Sequence, residues 1–168
     1  MLARVLQVLL LTGQRKSEVA NMPVAEIAGD VWLIPASRTK GKRQHIVPIA
    51  PLAHRALMDA MAFRNTSTLV FPGRNGGQLE PMSIGHAFGR LTKSLGIENA
   101  RPHDLRRTAA SEMGRIGVAE QIISRVLAHT QSGVTTRHYN LYAYLDEKRD
   151  ALQRWEAELV RIAALPLI

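Results

Sequence analysis

The chain has 168 residues, enough for one domain with a full hydrophobic core, and its hydrophobic fraction of 46% is that of a globular protein. It contains no cysteine, which excludes disulfides, thiolate metal sites and cysteine nucleophiles. A net charge of +8 favours phosphate-rich partners. No apolar run approaches the length of a membrane span, so no membrane partner is expected.

Hydrophobic periodicity and turn residues predict a mostly helical domain with a small antiparallel β-sheet, an α+β fold class. Leu2 to Leu11 is apolar nearly all round, which predicts a buried helix that ends at Gly13. Val31 to Ile34 and His45 to Val47 predict two short strands. Further helices are predicted over residues 16–21, 52–63, 82–95, 104–113, 119–127 and 145–164. No linker or internal repeat divides the chain, so we predict one domain over residues 1–168.

The segment between the two predicted strands is rich in cations. We interpret residues 35–44 as a hairpin with a basic tip around Gly41. The basic residues of this segment are Arg38, Lys40, Lys42 and Arg43. Such a tip suits a partner that carries phosphates.

Three tyrosines lie close together before the last predicted helix, at Tyr139, Tyr142 and Tyr144. A tyrosine oxygen can act as a nucleophile. The same cluster also fits aromatic packing against the last helix, and the tyrosines alone do not separate the two interpretations.

Two stretches place arginines where they can meet an anion. His103 and Arg106 are spaced i and i+3 at a predicted helix start, and a helix N-terminus with these side chains suits a phosphate. An ordinary solvated helix end has the same pattern. Arg15 directly follows the first buried helix, and a surface ion pair between Arg15 and Glu18 is its simpler interpretation.

Five strings together resemble the tyrosine recombinases of the phage-integrase family. They are LLTGQRKSE at residues 10–18, TKG at 39–41, HDLRRT at 103–108, LAH at 127–129 and VTTRHY at 134–139. The matching family motifs hold its first arginine, a lysine in a β-turn, a His-x-x-Arg pair, a Leu-Gly-His segment and the tyrosine nucleophile. The resemblance covers nearly the whole chain, and five motifs in family order argue against coincidence.

The sequence departs from the family pattern in three places. Ala128 replaces the usual glycine, which we expect to be tolerated. The spacing from His129 to Tyr139 is slightly longer than usual, and we expect a loop over residues 131–133 to absorb the difference. The family usually carries a separate helical DNA-clamping domain, and residues 1–168 are expected to be a single catalytic domain that lacks it and the opening residues of the catalytic domain itself.

The resemblance implies an enzyme that breaks and rejoins DNA with Tyr139 as its nucleophile. The phenol oxygen attacks phosphorus, the deoxyribose 5′-oxygen leaves, and a 3′-phosphotyrosine link forms. Arg15 and Arg106 are expected to converge on the non-bridging oxygens, because guanidinium forks match paired phosphate oxygens. With two fixed arginines no metal or other cofactor is expected, and no ATP is needed because one ester replaces another.

Three further residues complete the implied site. His103 is expected to accept the proton of the phenol, whose pKa of about 10 in water prevents spontaneous attack at neutral pH. Lys40 is expected to protonate the leaving 5′-oxygen, with Lys42 as the alternative donor and a DNA-backbone contact as the simpler role for Lys40. His129 is expected to hydrogen-bond a phosphate oxygen and to line the same pocket as His103.

Other polar residues are expected to have different roles or none. Glu18 and Asp104 are expected to orient neighbouring basic groups. Three histidines outside the motifs are expected to have no chemical role: His45, His54 and His86.

The resemblance also implies double-stranded DNA as the partner, with a homotetramer assembled on DNA and a monomer without it. A stripe of apolar residues on the last predicted helix can dock on its own domain or on a neighbouring protomer. The stripe consists of Leu152, Trp155, Leu159 and Ile162. Since no signal peptide is predicted, we expect a cytoplasmic protein of bacterial or phage origin.

Two alternatives stay open at this point. A type IB topoisomerase shares the chemistry but relaxes one duplex, and His129 together with the segment 147–149 favours the recombinase. A catalytically silent DNA-binding remnant is the second alternative, and the presence of every residue that the chemistry needs argues against it. The sequence does not determine the DNA target or the direction of recombination.

Overall fold

The computed structural model of the protein describes residues 1–129 and 143–164. The helices are α1 Leu2–Thr12, α2 Lys16–Ala20, α3 Pro51–Ala62, α4 Pro81–Ser94, α5 Pro102–Arg115, α6 Glu120–Val126 and α7 Leu145–Ala163. The strands are β1 Ile27–Ala28, β2 Val31–Ile34 and β3 His45–Pro48, in the antiparallel order β1-β2-β3. The predicted class, mostly helical with a small antiparallel sheet, is confirmed.

Helix α1 lies at the centre of the described residues. It contacts α2, α3, α4, α5 and α7, which explains why its sequence is apolar nearly all round. Val5 and Val8 are completely buried in this position. Gly13 ends the helix in the left-handed conformation with φ of 65°, as predicted. A Cβ added to Gly13 would lie 2.9 Å from Cδ2 of Leu127, so this glycine also permits close approach to the turn after α6.

The sheet contains the two predicted strands and a short third one. In the β2–β3 ladder Trp32 pairs with Val47, and both side chains are buried on the face toward the core. Strand β1 has only two residues, too few to show an alternating pattern, so the sequence did not reveal it.

The hairpin between β2 and β3 is present, but Arg38 does not belong to its basic tip. The Arg38 guanidinium makes two hydrogen bonds to the Glu26 carboxylate, of 2.7 and 2.9 Å, and also donates to the carbonyls of Glu18 and Asn21. These contacts tie the start of the hairpin to residues 18–26. The exposed cations of the tip are therefore Lys40, Lys42 and Arg43.

Helix α7 packs on its own domain. Trp155 is completely buried and donates its indole N–H to the carbonyl of Leu10 at 2.9 Å, while Leu152 is 1% exposed. The Glu156 carboxylate accepts the backbone N–H of Leu52 at the start of α3. The stripe on this helix is thus docked in cis over its first half, whereas Ile162 near its end is 39% exposed.

Within residues 1–129 and 143–164, no helix is long and apolar enough to cross a membrane.

Candidate functional site

The side chains of Arg15 and Arg106, the two arginines predicted to bind phosphate, both contact the turn at the end of α6. We call residues 126–128 the α6 turn. The carbonyl of Leu127 accepts a hydrogen bond of 2.5 Å from Arg106, and the carbonyl of Ala128 lies 3.5 Å from a guanidinium nitrogen of Arg15. The last carbonyls of a helix have no partner within it and carry its negative dipole end, so they suit cationic donors.

Arg106 is a buried cation held from two sides. It lies on α5, is 5% exposed, and donates through its other terminal nitrogen to the carbonyl of Gly13 at 2.7 Å. Burial and the nearby Arg15 lower the pKa of Arg106 to about 10, against a rise from Glu18. The guanidinium therefore stays charged at neutral pH, and its burial in a low-dielectric environment strengthens its attraction for an anion.

Arg15 is fixed by a buried carboxylate. Glu18, 2% exposed, accepts the backbone N–H of Arg15 at 3.0 Å and its guanidinium at 3.1 Å. The expectation that Glu18 orients a basic neighbour agrees with these contacts. Arg15 is not a simple surface residue, because it also reaches the carbonyl of Ala128 across the domain.

The structure brings Arg15 and Arg106 together although they are far apart in sequence. Their guanidiniums contact adjacent carbonyls of the α6 turn. Arg15 lowers the pKa of Arg106, and after burial the two arginines are the main causes that lower the pKa of His129. The buried carboxylate of Glu18 is bonded to Arg15 and balances one of the two positive charges. The remaining positive charge can attract an anion.

The two predicted histidines border different clefts. His129 lines a cleft of about 260 Å³ together with Arg15, Arg43 and Arg125. His103, the second residue of α5, lines a cleft of about 340 Å³ formed by Gln14, Lys16, Arg101, Pro102 and Arg106. The expectation that both histidines line one pocket stays a prediction, since the arginines of the two clefts, Arg15 and Arg106, meet at the α6 turn. His103 still lowers the pKa of His129, so the two rings act in the same electrostatic field.

Asp104 contacts two basic neighbours at the start of α5, in agreement with its expected role. Its carboxylate accepts the backbone N–H of Arg101 at 2.8 Å and closes the N-terminus of α5, and it also pairs with the exposed Arg107. The hydrogen bond from Arg101 is the main cause that lowers the pKa of Asp104. Asp104 thus stabilises the helix start that presents His103.

Lys40 lies at the exposed tip of the hairpin. Its neighbours Thr39 and Gly41 line the first cleft, and Thr39 braces the tip by hydrogen bonds of 3.1 and 2.7 Å with the backbone of Arg43. Lys42 is also exposed and has a positive φ of 48°. The hairpin therefore borders the site, and the choice of Lys40 as proton donor stays a prediction.

Two of the three tyrosines, Tyr139 and Tyr142, lie outside the described residues, so the nucleophile assignment stays a prediction. The third, Tyr144, packs under the guanidinium of Arg125, which lies 4.3 Å from its ring centroid. Its hydroxyl accepts a hydrogen bond from Gln121 at 3.3 Å. These contacts agree with the packing interpretation for Tyr144.

His45 lines a cleft, although the sequence predicts no chemical role for it because it lies outside the motifs. It is 7% exposed, lines the first cleft, and its Nε2 lies 3.1 Å from the carbonyl of Val126. Burial, followed by the charge of Lys148, lowers the pKa of His45 to about 4, so the ring is neutral at pH 7. Lys148 lines the same cleft and donates to the carbonyl of Ile46 at 2.6 Å. The places of His45 and Lys148 in this cleft follow from the packing of β3 against distant segments, which the local sequence does not specify.

Ala128 has a left-handed backbone, with φ of 49°. Glycine adopts this conformation without the steric cost that Cβ imposes, which explains why a glycine suits this position.

We expect Ala128→Gly to raise the free energy of unfolding by about 0.5–1 kcal/mol, since relief of strain exceeds the added entropy of the unfolded chain. Urea unfolding measures this change. Ala157→Gly, at an exposed position inside α7, is the matched control and should lower stability.

Comparison with known proteins places these features in a family context. The sequence profile described as "Phage integrase family" matches residues 2–145. The prophage integrase IntA of Escherichia coli (strain K12) is 31% identical over 157 residues, covering 92% of this chain and 37% of the relative. The tyrosine recombinase XerC of Corynebacterium glutamicum is 26% identical over 149 residues, covering 86% and 47%. The chain thus spans less than half the length of these two relatives.

Solved structures show the same fold at low identity. An integrase from mycobacterium phage Brujita superposes with a TM-score of 0.73 at 15% identity, covering 92% of this chain and 51% of that one. The Tn1549 transposon integrase, solved in complex with circular intermediate DNA, gives a TM-score of 0.61 at 21% identity, covering 89% and 55%. The predicted tyrosine recombinase catalytic-domain fold is confirmed.

Proposed function

The chain belongs to the phage integrase family, and we propose that it is the catalytic domain of a site-specific DNA recombinase that works through a 3′-phosphotyrosine intermediate. The observation that carries this proposal is the meeting of Arg15 and Arg106 on adjacent carbonyls of the α6 turn. Two fixed guanidiniums beside open clefts suit a phosphodiester, whose transition state gains negative charge on the non-bridging oxygens.

In the proposed reaction the phenol oxygen of Tyr139 attacks the scissile phosphorus. The bond from phosphorus to the deoxyribose 5′-oxygen breaks, and a new phosphorus–oxygen bond joins the 3′-phosphate to the tyrosine. His103 accepts the phenol proton, and Lys40 supplies a proton to the leaving 5′-oxygen. The 5′-hydroxyl of another strand reverses the steps, so ester bonds are exchanged without ATP and no metal is invoked.

His129 has a neutral imidazole in this proposal. Burial first, and then the charges of Arg106, Arg15 and His103, lower its pKa. A neutral ring donates one N–H bond to a phosphate oxygen and leaves the countercharge to the arginines.

We propose double-stranded DNA as the partner, with a homotetramer that assembles on it from monomers. The net charge of +8 and the exposed basic tip support a phosphate-bearing partner. The Tn1549 integrase, which shares the fold, was solved with DNA. The chain spans less than half the length of the two relatives, so the assembly is part of this proposal and not a finding.

The test of the proposed function is formation of a covalent protein–DNA adduct. The probe is a pool of 5′-end-labelled duplexes with randomised sequence and a nick shortly 3′ of the cleavage position, so that the short fragment that carries the 5′-hydroxyl diffuses away and the reaction is trapped. A band that survives denaturation and disappears after protease digestion is the expected result, and sequencing it yields the preferred site. A chain that binds the pool without forming any adduct is a silent DNA-binding remnant. A chain that relaxes supercoils without exchanging strands is a topoisomerase.

DNA binding is expected to weaken steeply with salt through the hairpin tip. Combined replacement of Lys40, Lys42 and Arg43 by Gln should reduce the log–log salt slope by about 0.9 for each phosphate contact removed. Fluorescence anisotropy of a labelled duplex at several salt concentrations measures the slope. The control Arg55→Gln removes a cation from α3, which lines a separate groove, and should leave the slope unchanged. An unchanged slope in the triple variant would show that the tip is not part of the DNA face.

A further inference from the structure

The α6 turn is held by four side chains that come from outside α6. Gln14 and His45 both contact the carbonyl of Val126, at 2.9 and 3.1 Å. Arg106 and Arg15 contact the next two carbonyls. All four contacts are thus made to three successive carbonyls. The neutral side chains contact the first of these carbonyls, and the arginines contact the other two.

The chemistry of these contacts requires His45 to be a donor. A carbonyl oxygen only accepts, so the proton of the neutral imidazole must be on Nε2. Gln14 is 1% exposed and its amide also donates to the carbonyl of Thr12 at 2.8 Å. Gln14 therefore links the end of α1 to the α6 turn, and His45 links β3 to the same turn.

Both arginines depend on the place of this turn. Arg106 spans from Gly13, the residue before Gln14, to Leu127, the residue after Val126. A shift of the Val126 carbonyl would move the Leu127 and Ala128 carbonyls, and the guanidiniums would follow. Displacement of a catalytic group by a fraction of an ångström is enough to slow a reaction, because the charge it must meet has a fixed position.

On the premise of the proposed function, we propose that Gln14 and His45 are positioning residues for DNA cleavage, which set the α6 turn and through it the two arginines. Neither residue needs to touch DNA for this role. Gln14 and His45 are buried polar side chains that take no part in the cleavage steps themselves.

The test compares His45→Phe, which removes the donor, with His45→Gln, which restores an N–H group. The probe is the nicked duplex with the highest adduct yield in the pool. At saturating protein, His45→Phe should lower the single-turnover rate of adduct formation by about tenfold or more, while DNA affinity changes little. His45→Gln should recover most of the rate. Gln14→Met, which has similar size and no donor, should lower the rate in the same way.

A second substrate distinguishes positioning of the arginines from a general loss of structure. A methylphosphonate at the scissile position is neutral, so the guanidiniums have less charge to meet. The rate loss of His45→Phe and Gln14→Met should therefore be several times smaller on this substrate than on the phosphodiester. Val70→Ala, which opens a core position outside both clefts, is the stability control. The ratio of its rate to the parental rate should be the same on both substrates.

Several outcomes would overturn the proposal. Folded His45→Phe and Gln14→Met variants with the parental rate would show that the Val126 contacts are not needed. Equal losses on the phosphodiester and the methylphosphonate would show that the residues do not act through the arginines. If His45→Phe does not fold, the Gln14→Met comparison decides. A parent protein that forms no adduct on any duplex would instead overturn the proposed function, and this inference with it.

Discussion

Tyr139→Phe is expected to abolish the covalent protein–DNA adduct completely while DNA binding persists. The substitution removes only the phenol oxygen that would attack phosphorus, so no phosphotyrosine ester can form at this residue. Denaturing electrophoresis with the nicked duplex pool measures adduct formation, and anisotropy at low salt measures binding. Because the change is smaller than a methyl group, the free energy of unfolding should stay close to that of the parent.

The other two tyrosines provide matched controls for this experiment. Tyr142→Phe and Tyr144→Phe carry the same chemical change within five residues of Tyr139 and should still form the adduct. Tyr144→Phe loses its hydrogen bond with Gln121 but keeps the ring that packs against Arg125. An adduct that survives in Tyr139→Phe, or disappears in Tyr142→Phe instead, would move the nucleophile to another residue.

Trp155→Ala is expected to have the largest effect on stability. The indole is completely buried between α7 and α1, so its removal leaves a large cavity and should cost about 3–5 kcal/mol of unfolding free energy. It also leaves the carbonyl of Leu10 without its indole donor. Urea unfolding followed by circular dichroism measures the loss, which is a large fraction of the about 5–15 kcal/mol by which folded domains are usually stable.

Ile162→Ala tests whether the two ends of the stripe differ. Ile162 is on the same predicted stripe but is 39% exposed, so its truncation should change stability by no more than about 0.5 kcal/mol. If Trp155→Ala keeps the parental stability and instead prevents assembly on DNA, helix α7 docks on a neighbouring protomer and the packing described above is not the functional one. Sedimentation of both variants with and without DNA separates these results.

Much of the local structure could be predicted because it depends on neighbouring residues. The apolar run of α1, the glycine that ends it and the prolines at the starts of α3, α4 and α5 act within one or two helical turns. The predicted boundaries of the longer helices agree with the structure to within a few residues. The order of the five motifs was sufficient to suggest the family, which the sequence comparisons then showed.

Contacts between distant residues were harder to predict, since a local pattern does not specify a partner. Arg38 belongs to a cluster of basic residues in the sequence, yet in the fold its guanidinium is hydrogen-bonded to Glu26 and to two backbone carbonyls. His45 lies outside every motif, yet the pairing of β3 buries it beside the catalytic candidates. Burial lowers its pKa and makes it a neutral donor, a property that composition cannot reveal.

The sequence by itself determined which residue types are available for the chemistry, their order, and the elements that carry them. The tertiary structure alone decided that Arg15 and Arg106 meet at the α6 turn, that His103 and His129 border separate clefts, and that α7 packs in cis through Trp155. The physical reason is that propensity and periodicity act over a few residues, whereas desolvation, charge proximity and the choice of hydrogen-bond acceptor depend on which distant segments the hydrophobic core brings together.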